Sequence, residues 1–161
     1  MAHPMLNVLF VCEGNAVRSI MAEALLNRFG GGRFRAFSAG VEPADGVHPL
    51  TVEMLRAGGL NVGNLQPKSV REFATASAPR MDFVIAMGKN PATALGALPG
   101  NPMRVQWGIS DPATSEGDAM AQRFAFRRAW RELETRIRLF VLLRHNRDER
   151  SLEAPAQRQS A

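Results

Sequence analysis

The stretch VLFVCEGNAVRS, residues 8–19, is the most informative part of the chain for predicting the fold, because an apolar run there leads through a short polar loop into a helix. Residues 8–11 are uniformly apolar, so residues 6–11 are predicted to form a buried strand. Residues 19–29 predict an amphipathic helix, which the glycines at 30–32 end. The chain therefore begins with a strand, the loop CEGNAVR and a helix.

The alternation of strand and helix patterns continues along the chain. The predicted strands are residues 6–11, 34–37, 81–87 and 103–108. The predicted helices are residues 19–29 and 49–57, a short one after Pro67, and a long one over 117–146. The Pro- and Gly-rich residues 88–102 predict one short helical turn. This order predicts a three-layer α/β fold, in which a four-stranded parallel sheet is flanked by helices.

The order of elements also indicates where a ligand binds. Parallel sheets bind ligands outside the carboxyl ends of their strands, where the loop after the first strand lies. Residues 1–146 are predicted to form one domain around the sheet, and residues 147–161 a polar, disordered tail. Residues 12–18 are therefore the predicted ligand-binding loop.

This loop combines residue types that bind an anion with one that attacks it. Gly14 and Asn15 tolerate the positive φ with which a tight loop turns its N–H groups inward at a helix N-terminus. The planar guanidinium of Arg18 can hold two oxygens of a tetrahedral anion. These groups, together with the Ser19 hydroxyl, would stabilise Cys12 as a thiolate, the form that attacks.

Cys12 also has a plainer interpretation, a small buried side chain on a strand, which is the usual role of a lone cysteine. Because arginine is abundant in this chain, Arg18 six positions later is weak evidence by itself. The preceding strand, the Gly-Asn pair and the RS that opens the helix favour the catalytic interpretation.

Composition and charge narrow the function classes. A single cysteine, no visible secretory signal and no membrane-spanning run predict a cytoplasmic protein without membrane partners. The three histidines show no metal-ligand spacing, so neither a metal nor another cofactor is predicted. The net charge of +5 comes from residues 119–161, which hold ten Arg and five acidic residues. Without a base-stacking pattern of aromatic residues, this favours a solvated helix face over nucleic-acid binding.

Six motifs resemble, in order, those of the low-molecular-weight protein tyrosine phosphatase superfamily, and most closely its arsenate reductase branch. They are VLFVCEGNAVRSIMAEALL, FSAG, VHPLTVEML, KS, DFVIAM and WGISDPA, which together cover about residues 6–140. The resemblance implies a four-stranded parallel sheet and a C-x5-R loop that holds phosphate or arsenate. It implies that Cys12 is the nucleophile, Arg18 the oxyanion clamp and Asp111 the general acid.

The resemblance also implies roles for the rest of the loop. The implied oxyanion-binding residues are Glu13, Gly14, Asn15, Ala16, Val17, Arg18 and Ser19. Asn15 would shape the loop, and Ser19 would support the thiolate. Ser38 in FSAG would hydrogen-bond to the side chain of Asn15, although it can equally be an ordinary serine at a strand end.

The position of Asp111 fits an acid independently of the resemblance. Asp111 follows the fourth predicted strand, so it lies at the same carboxyl edge as Cys12. A phosphomonoester with a poor leaving group needs a proton on its bridging oxygen, which such an acid supplies. The plainer interpretation of Asp111-Pro112 is a turn or a helix start.

The chain departs from the family pattern in its sulfur content. The family loop usually has a second cysteine just before the arginine, where this chain has Val17. Thioredoxin-linked arsenate reductases carry further cysteines after the third strand, and this chain has none there. An intramolecular disulfide relay is therefore excluded, and a reductase would need an external thiol such as glutathione or mycothiol.

The chain also departs at positions that recognise substrate. Phosphatases that favour phosphotyrosine present aromatic residues after the DP motif, where this chain has Ala113 and Thr114. Glu13 replaces a neutral residue, and at the pocket rim its carboxylate would repel an incoming dianion. If Glu13 points to water, it has no such effect, and the sequence does not separate these two interpretations.

Three functions are weighed from the sequence. Hydrolysis of a phosphomonoester through a phosphocysteine at Cys12 ranks first because it needs no second cysteine. The alternative is arsenate reduction with an external thiol. The third is an oxyanion-binding protein without turnover, which Glu13, Ala16 and Val17 suggest. The predicted partners are a phosphorylated substrate or an inorganic oxyanion.

Overall fold

The computed structural model describes residues 3–88 and 98–153 and has one four-stranded sheet. The strands are β1 (Leu6–Cys12), β2 (Phe34–Gly40), β3 (Phe83–Met87) and β4 (Met103–Trp107). The helices are α1 (Arg18–Phe29), α2 (Pro49–Ala57) and α3 (Ala119–Glu153), with 3-10 turns at Val70–Phe73 and Pro112–Thr114. The strand order is β2-β1-β3-β4, and every neighbouring pair is parallel. The predicted α/β fold with a four-stranded parallel sheet is confirmed.

The middle position of β1 follows from its apolar composition, since both of its faces are buried. Val8 and Phe10 pack with α1 and α3 in one cluster, while Leu9 and Val11 pack on the opposite face. The second face is covered by the Val70–Phe73 turn and neighbouring apolar residues. Layers on both faces therefore fix β1, so that its carboxyl end, Cys12, lies at the middle of the sheet edge.

Two elements are longer than the sequence predicts. Strand β2 extends through the SAG stretch to Gly40 because it pairs with β1 along its whole length, ending at Cys12 and Gly40. Helix α3 continues to Glu153, so residues 147–153 of the predicted tail are helical. No Gly or Pro interrupts residues 147–153, and Pro155 is the first residue that opposes continuation.

The remaining predictions for individual elements need two remarks. The stretch 88–102, with its predicted helical turn, includes residues 89–97, which lie outside the described part of the chain. Among the described helices, none has an apolar segment long enough to cross a membrane.

Candidate active site

The loop between Cys12 and Arg18 lies at the carboxyl edge of the sheet. Cys12, the last residue of β1, is only 2% exposed at the base of the loop. Arg18, the first residue of α1, is 6% exposed. The end of β3 and the segment after β4 approach the same place, and together they form an open cleft of about 640 Å³. We call this the oxyanion cleft; its described lining is Glu13, Arg18, Gly88, Gly108, Ile109, Ser110, Asp111 and Thr114.

The backbone of the loop is oriented by the segment that follows β2. Four loop carbonyls accept backbone hydrogen bonds of 2.9–3.1 Å from that segment. The pairs are Cys12 with Val41, Glu13 with Glu42, Gly14 with Ala44, and Ala16 with His48. Within the described part of the chain, the N–H groups of residues 13–17 donate to no protein acceptor. Carbonyls turned outward and unpaired N–H groups beside a helix N-terminus are what an anion-binding loop requires.

The curvature of the loop depends on Asn15, which has a φ of +50°. Gly14 has no positive φ, so only one of the two residues expected to adopt this conformation does so. The Asn15 side chain is buried, and its Oδ1 accepts a 2.9 Å hydrogen bond from the N–H of Lys68. That bond leaves the Asn15 amide nitrogen to donate to Ser19 Oγ at 2.8 Å.

This chain of hydrogen bonds ends at the cysteine. Ser19 Oγ lies 2.9 Å from Cys12 Sγ. Because Ser19 already accepts a hydrogen bond from Asn15, its own hydrogen is free to be donated to the sulfur. The hydrogen bonds from Lys68 through Asn15 to Ser19 therefore hold the Ser19 hydroxyl against the Cys12 sulfur.

The guanidinium of Arg18 is held by the segment that follows β4. Its Nη1 donates a 3.0 Å hydrogen bond to the carbonyl of Ile109, and its Nη2 lies 3.6 Å from Asp111 Oδ2. Gly88, at φ +111°, leaves room for this group, since a Cβ there would lie 3.3 Å from Nη1. The structure thus brings together Arg18 and Asp111, which are distant in the sequence.

Asp111 begins the short Pro112–Thr114 turn and lines the cleft. Its Oδ1 accepts a 3.0 Å hydrogen bond from the N–H of Ala113, which leaves Oδ2 facing Arg18. Asp111 therefore begins the turn through Oδ1 and faces Arg18 through Oδ2, so the helix-start interpretation and the catalytic one do not exclude each other. Glu13 is exposed and is one of the residues that line the same cleft.

Ser38 does not bind Asn15 as the resemblance implies. Its hydroxyl donates a 2.6 Å hydrogen bond to Glu23 of α1. Burial raises the pKa of Glu23, while this hydrogen bond and the nearby Lys68 ammonium act in the opposite direction. Asn15 is instead held by the backbone N–H of Lys68, in the KS motif. The sequence does not indicate this contact, because residue identity does not determine which backbone groups meet.

Sequence reasoning also missed Gly40, whose lack of a side chain lets β2 approach the loop. A Cβ there would lie 2.8 Å from the Glu13 carbonyl oxygen and 3.0 Å from Asn15 Cβ. Ile109 and Gly88 were missed as well, because they are distant from Arg18 in the sequence and meet it only in the folded chain. Of these three residues only Gly40 could have been noticed from the sequence, as the glycine of the SAG stretch.

Replacing Gly40 by alanine is expected to lower the free energy of unfolding by about 1–3 kcal/mol, because the loop backbone must shift to admit the methyl group. Phosphate inhibition should weaken in the same variant. Chemical denaturation and an inhibition assay measure the two effects. The matched control is Gly46→Ala, where a Cβ meets nothing within 4 Å and little change is expected. Equal stability and inhibition in both variants would contradict this role of Gly40.

A metal site is a separate question, and the geometry offers none in the described residues. Within them, no group of three or more His, Cys, Asp or Glu side chains is arranged to hold a metal ion.

Comparison with known proteins gives three related findings. A model of the family described as low molecular weight phosphotyrosine protein phosphatase matches residues 7–152. The chain is 32% identical to an arsenate reductase of Halalkalibacterium halodurans over 134 residues, 83% of this chain and 94% of that one. It is 29% identical to the structure of the Corynebacterium glutamicum thioredoxin-dependent arsenate reductase, with a TM-score of 0.64.

The extent of the structural likeness differs between neighbours. The match to the Corynebacterium glutamicum protein covers 89% of this chain but 65% of that longer chain. A low molecular weight protein tyrosine phosphatase from T. tengcongensis has a TM-score of 0.66 and covers 87% of this chain and 99% of its own. At 24% identity, this second likeness is one of fold alone.

Proposed function

Because the chain belongs to the low molecular weight phosphotyrosine protein phosphatase family, we propose that it is a cysteine-dependent enzyme that reduces arsenate with an external thiol. The sequence by itself ranks phosphomonoester hydrolysis first. The names of the curated relatives favour the alternative, since the relative described above is an arsenate reductase. A reaction that consumes small thiols also favours a cytoplasmic location.

The observation that carries the proposal is the shape and chemistry of the oxyanion cleft. Its described lining includes the buried Arg18 and, at Glu13, the start of the loop with free N–H groups, and it has no aromatic side chain. Ala113 and Thr114 stand where aromatic residues would grip a phenyl ring. A small tetrahedral oxyanion uses every one of these groups, whereas a phenyl ester finds no ring contact.

The first step is attack of the Cys12 thiolate on arsenic. Three arsenate oxygens are held by the loop N–H groups and by Arg18, which neutralise the charge of the anion and orient it. One oxygen leaves as water after protonation, and a bond forms between sulfur and arsenic. Ser19 supports the thiolate before attack through its 2.9 Å contact with Sγ.

The second step needs a thiol from outside because Cys12 is the only cysteine. A thiolate of the external reductant attacks Sγ, and the electron pair of the sulfur–arsenic bond passes to arsenic, which leaves as arsenite. Cys12 is then in a mixed disulfide with the reductant. A second thiol molecule regenerates Cys12, so two thiols become one disulfide for each arsenate reduced, and one water forms.

Phosphomonoester hydrolysis stays as the second candidate because of one observation, the placement of Asp111 at 3.6 Å from Arg18. An acid beside the anion site can protonate a leaving oxygen and then, as a base, activate the water that hydrolyses a phosphocysteine. Arsenite release gains nothing from this carboxyl, since it requires two electrons rather than a proton.

Asp111 therefore offers a test that separates the two candidates. Asp111→Asn is expected to lower hydrolysis of phenyl phosphate at least about tenfold while changing thiol-dependent arsenate reduction less. Asparagine keeps the oxygen that caps Ala113, so the turn should be retained. Steady-state rates of both reactions are measured beside Asp118→Asn, which changes another cap residue, hydrogen-bonded to Ala121, outside the cleft. A larger loss in arsenate reduction than in hydrolysis would contradict this division of roles.

The proposed function itself is tested by comparing reductants on one preparation. Arsenite formation is expected with glutathione or mycothiol as the reductant, and none with thioredoxin and its reductase alone. Multiple turnovers with thioredoxin alone would overturn the external-thiol route. If no thiol supports arsenite formation but phosphate esters are hydrolysed, the second candidate takes its place. Arsenate binding with neither activity would favour the third function, an oxyanion-binding protein without turnover.

A further inference from the structure

A second cleft opens beside the oxyanion cleft, between the segment after β4 and helix α3. We call it the side cleft, and its volume of about 330 Å³ falls within the range of small-molecule sites. The two clefts share Ser110, Asp111 and Thr114. The two clefts therefore adjoin at the segment that follows β4.

The side cleft carries a positive charge that the protein does not neutralise. Arg128 of α3 lines it and, within the described residues, forms no ion pair. Both acidic side chains of the lining have charged partners: Glu132 is paired with Arg136 at 3.2 Å, and Asp111 lies 3.6 Å from Arg18. An anionic group entering the cleft consequently meets a free guanidinium, which suits a carboxylate.

Two further residues that line the side cleft, Ser115 and Phe124, add a polar and an apolar surface. Ser115 Oγ is buried and has no hydrogen-bond partner among the described residues. An unsatisfied buried hydroxyl is uncommon, and rotation of the Ser115 side chain toward the cleft would let a polar ligand supply its hydrogen bond. Phe124, one helical turn before Arg128, is 65% exposed and offers an apolar surface in the cleft.

From these three features we propose that the side cleft binds the external reductant, and that this reductant is a small peptide-like thiol bearing a carboxylate, of which glutathione is the type. The inference rests on the proposed arsenate reduction and adds the identity of the reductant to it. The carboxylate pairs with Arg128, a polar group of the ligand binds Ser115 Oγ, and the thiol end points toward the shared residues.

This placement serves the second step of the reaction. Held by its carboxylate, the ligand presents its thiolate to Sγ of the Cys12–arsenic adduct. The new sulfur–sulfur bond forms as the sulfur–arsenic bond breaks, and arsenic keeps the electron pair and leaves as arsenite. The second thiol molecule then reduces the mixed disulfide, so the ligand supplies both electrons and no other oxidant or reductant is needed.

Direct binding tests the site without depending on turnover. S-methylglutathione, which cannot reduce the adduct, is titrated into the full chain and followed by protein NMR. Saturable binding is expected, weakened about fivefold in Arg128→Gln, the size of effect that one exposed ion pair produces. The matched control is Arg131→Gln, which removes the same charge from the same helix outside the cleft. Absence of binding, or equal binding in all three proteins, would overturn the proposal.

Kinetics give the second arm of the experiment. Arg128→Gln should raise the KM for glutathione about fivefold and leave unchanged the KM for arsenate and for 2-mercaptoethanol, which has no carboxylate. An equal rise in KM for both thiols would overturn the carboxylate contact. If S-methylglutathione binds through Arg128 but no thiol reduces arsenate, the proposed function fails and the binding site stands. If arsenate is reduced but Arg128→Gln leaves the binding of S-methylglutathione unchanged, the proposed function stands and the binding site is wrong.

Discussion

Cys12→Ser is expected to abolish turnover while leaving the fold and oxyanion binding intact. A serine hydroxyl is not ionised at neutral pH, so it cannot replace the thiolate as a nucleophile. Serine is smaller than cysteine and keeps the hydrogen bond to Ser19, so the buried position should tolerate it. Loss of a covalent nucleophile usually costs several orders of magnitude in rate, and a decrease of about a thousandfold or more is expected.

The measurement is the rate of arsenite formation and of phosphate ester hydrolysis by the purified variant. Stabilisation of the variant by arsenate in a thermal melt serves as the control for the fold and for the anion site. Activity above about a hundredth of the original in either assay would show that Cys12 is not the nucleophile. Loss of arsenate binding together with activity would instead assign Cys12 a structural role.

Arg18→Lys is expected to produce the next largest effect, a decrease of about a hundredfold to a thousandfold in kcat/KM. Arg18 is buried and holds the Ile109 carbonyl with one nitrogen while another faces Asp111. A lysine ammonium is a point charge and cannot bind two oxygens of the anion in a fixed plane. Removing one preorganised donor from such a site typically costs two to three orders of magnitude in rate.

The control for Arg18 is Arg28→Lys, an exposed position on the same helix whose change should leave kcat/KM within about twofold. Arsenate and phosphate inhibition constants are measured for both variants, since Arg18→Lys should weaken both anions together. A kcat/KM for Arg18→Lys within tenfold of the unaltered protein would show that charge alone, rather than the guanidinium fork, holds the anion.

The parts of the fold and site that are local in sequence could be predicted. The apolar run before Cys12, the loop and the helix after it are adjacent, so their order determines their geometry with little help from the rest of the chain. Cys12, Asn15, Arg18 and Ser19 meet for the same reason. Asp111 could be added because parallel strands bring their carboxyl ends to one edge.

What could not be predicted depends on contacts between distant segments. The Lys68 backbone holds Asn15, and Glu23 captures Ser38, because β2, α1 and the segment before Val70 converge in three dimensions. Side-chain types do not determine which of two nearby polar groups a serine will choose. Gly40 shows the same limit, since its role depends on how closely β2 approaches the loop.

The length of α3 is a different kind of failure. Its polar, charged C-terminal residues predict a solvated tail, yet they are also good helix formers, and an already formed helix extends at small cost. The start of this helix could therefore be predicted more accurately than its end.

The central claim, that one thiol on the protein and a second from outside share the chemistry, is tested most directly by intact-protein mass spectrometry after a single turnover. The protein is mixed with one equivalent each of arsenate and glutathione, quenched in acid, and its mass and the arsenite formed are measured. The account predicts glutathione attached to Cys12 in an amount equal to the arsenite released, and no attachment when arsenate is left out. Arsenite formed without any mixed disulfide at Cys12 would contradict it.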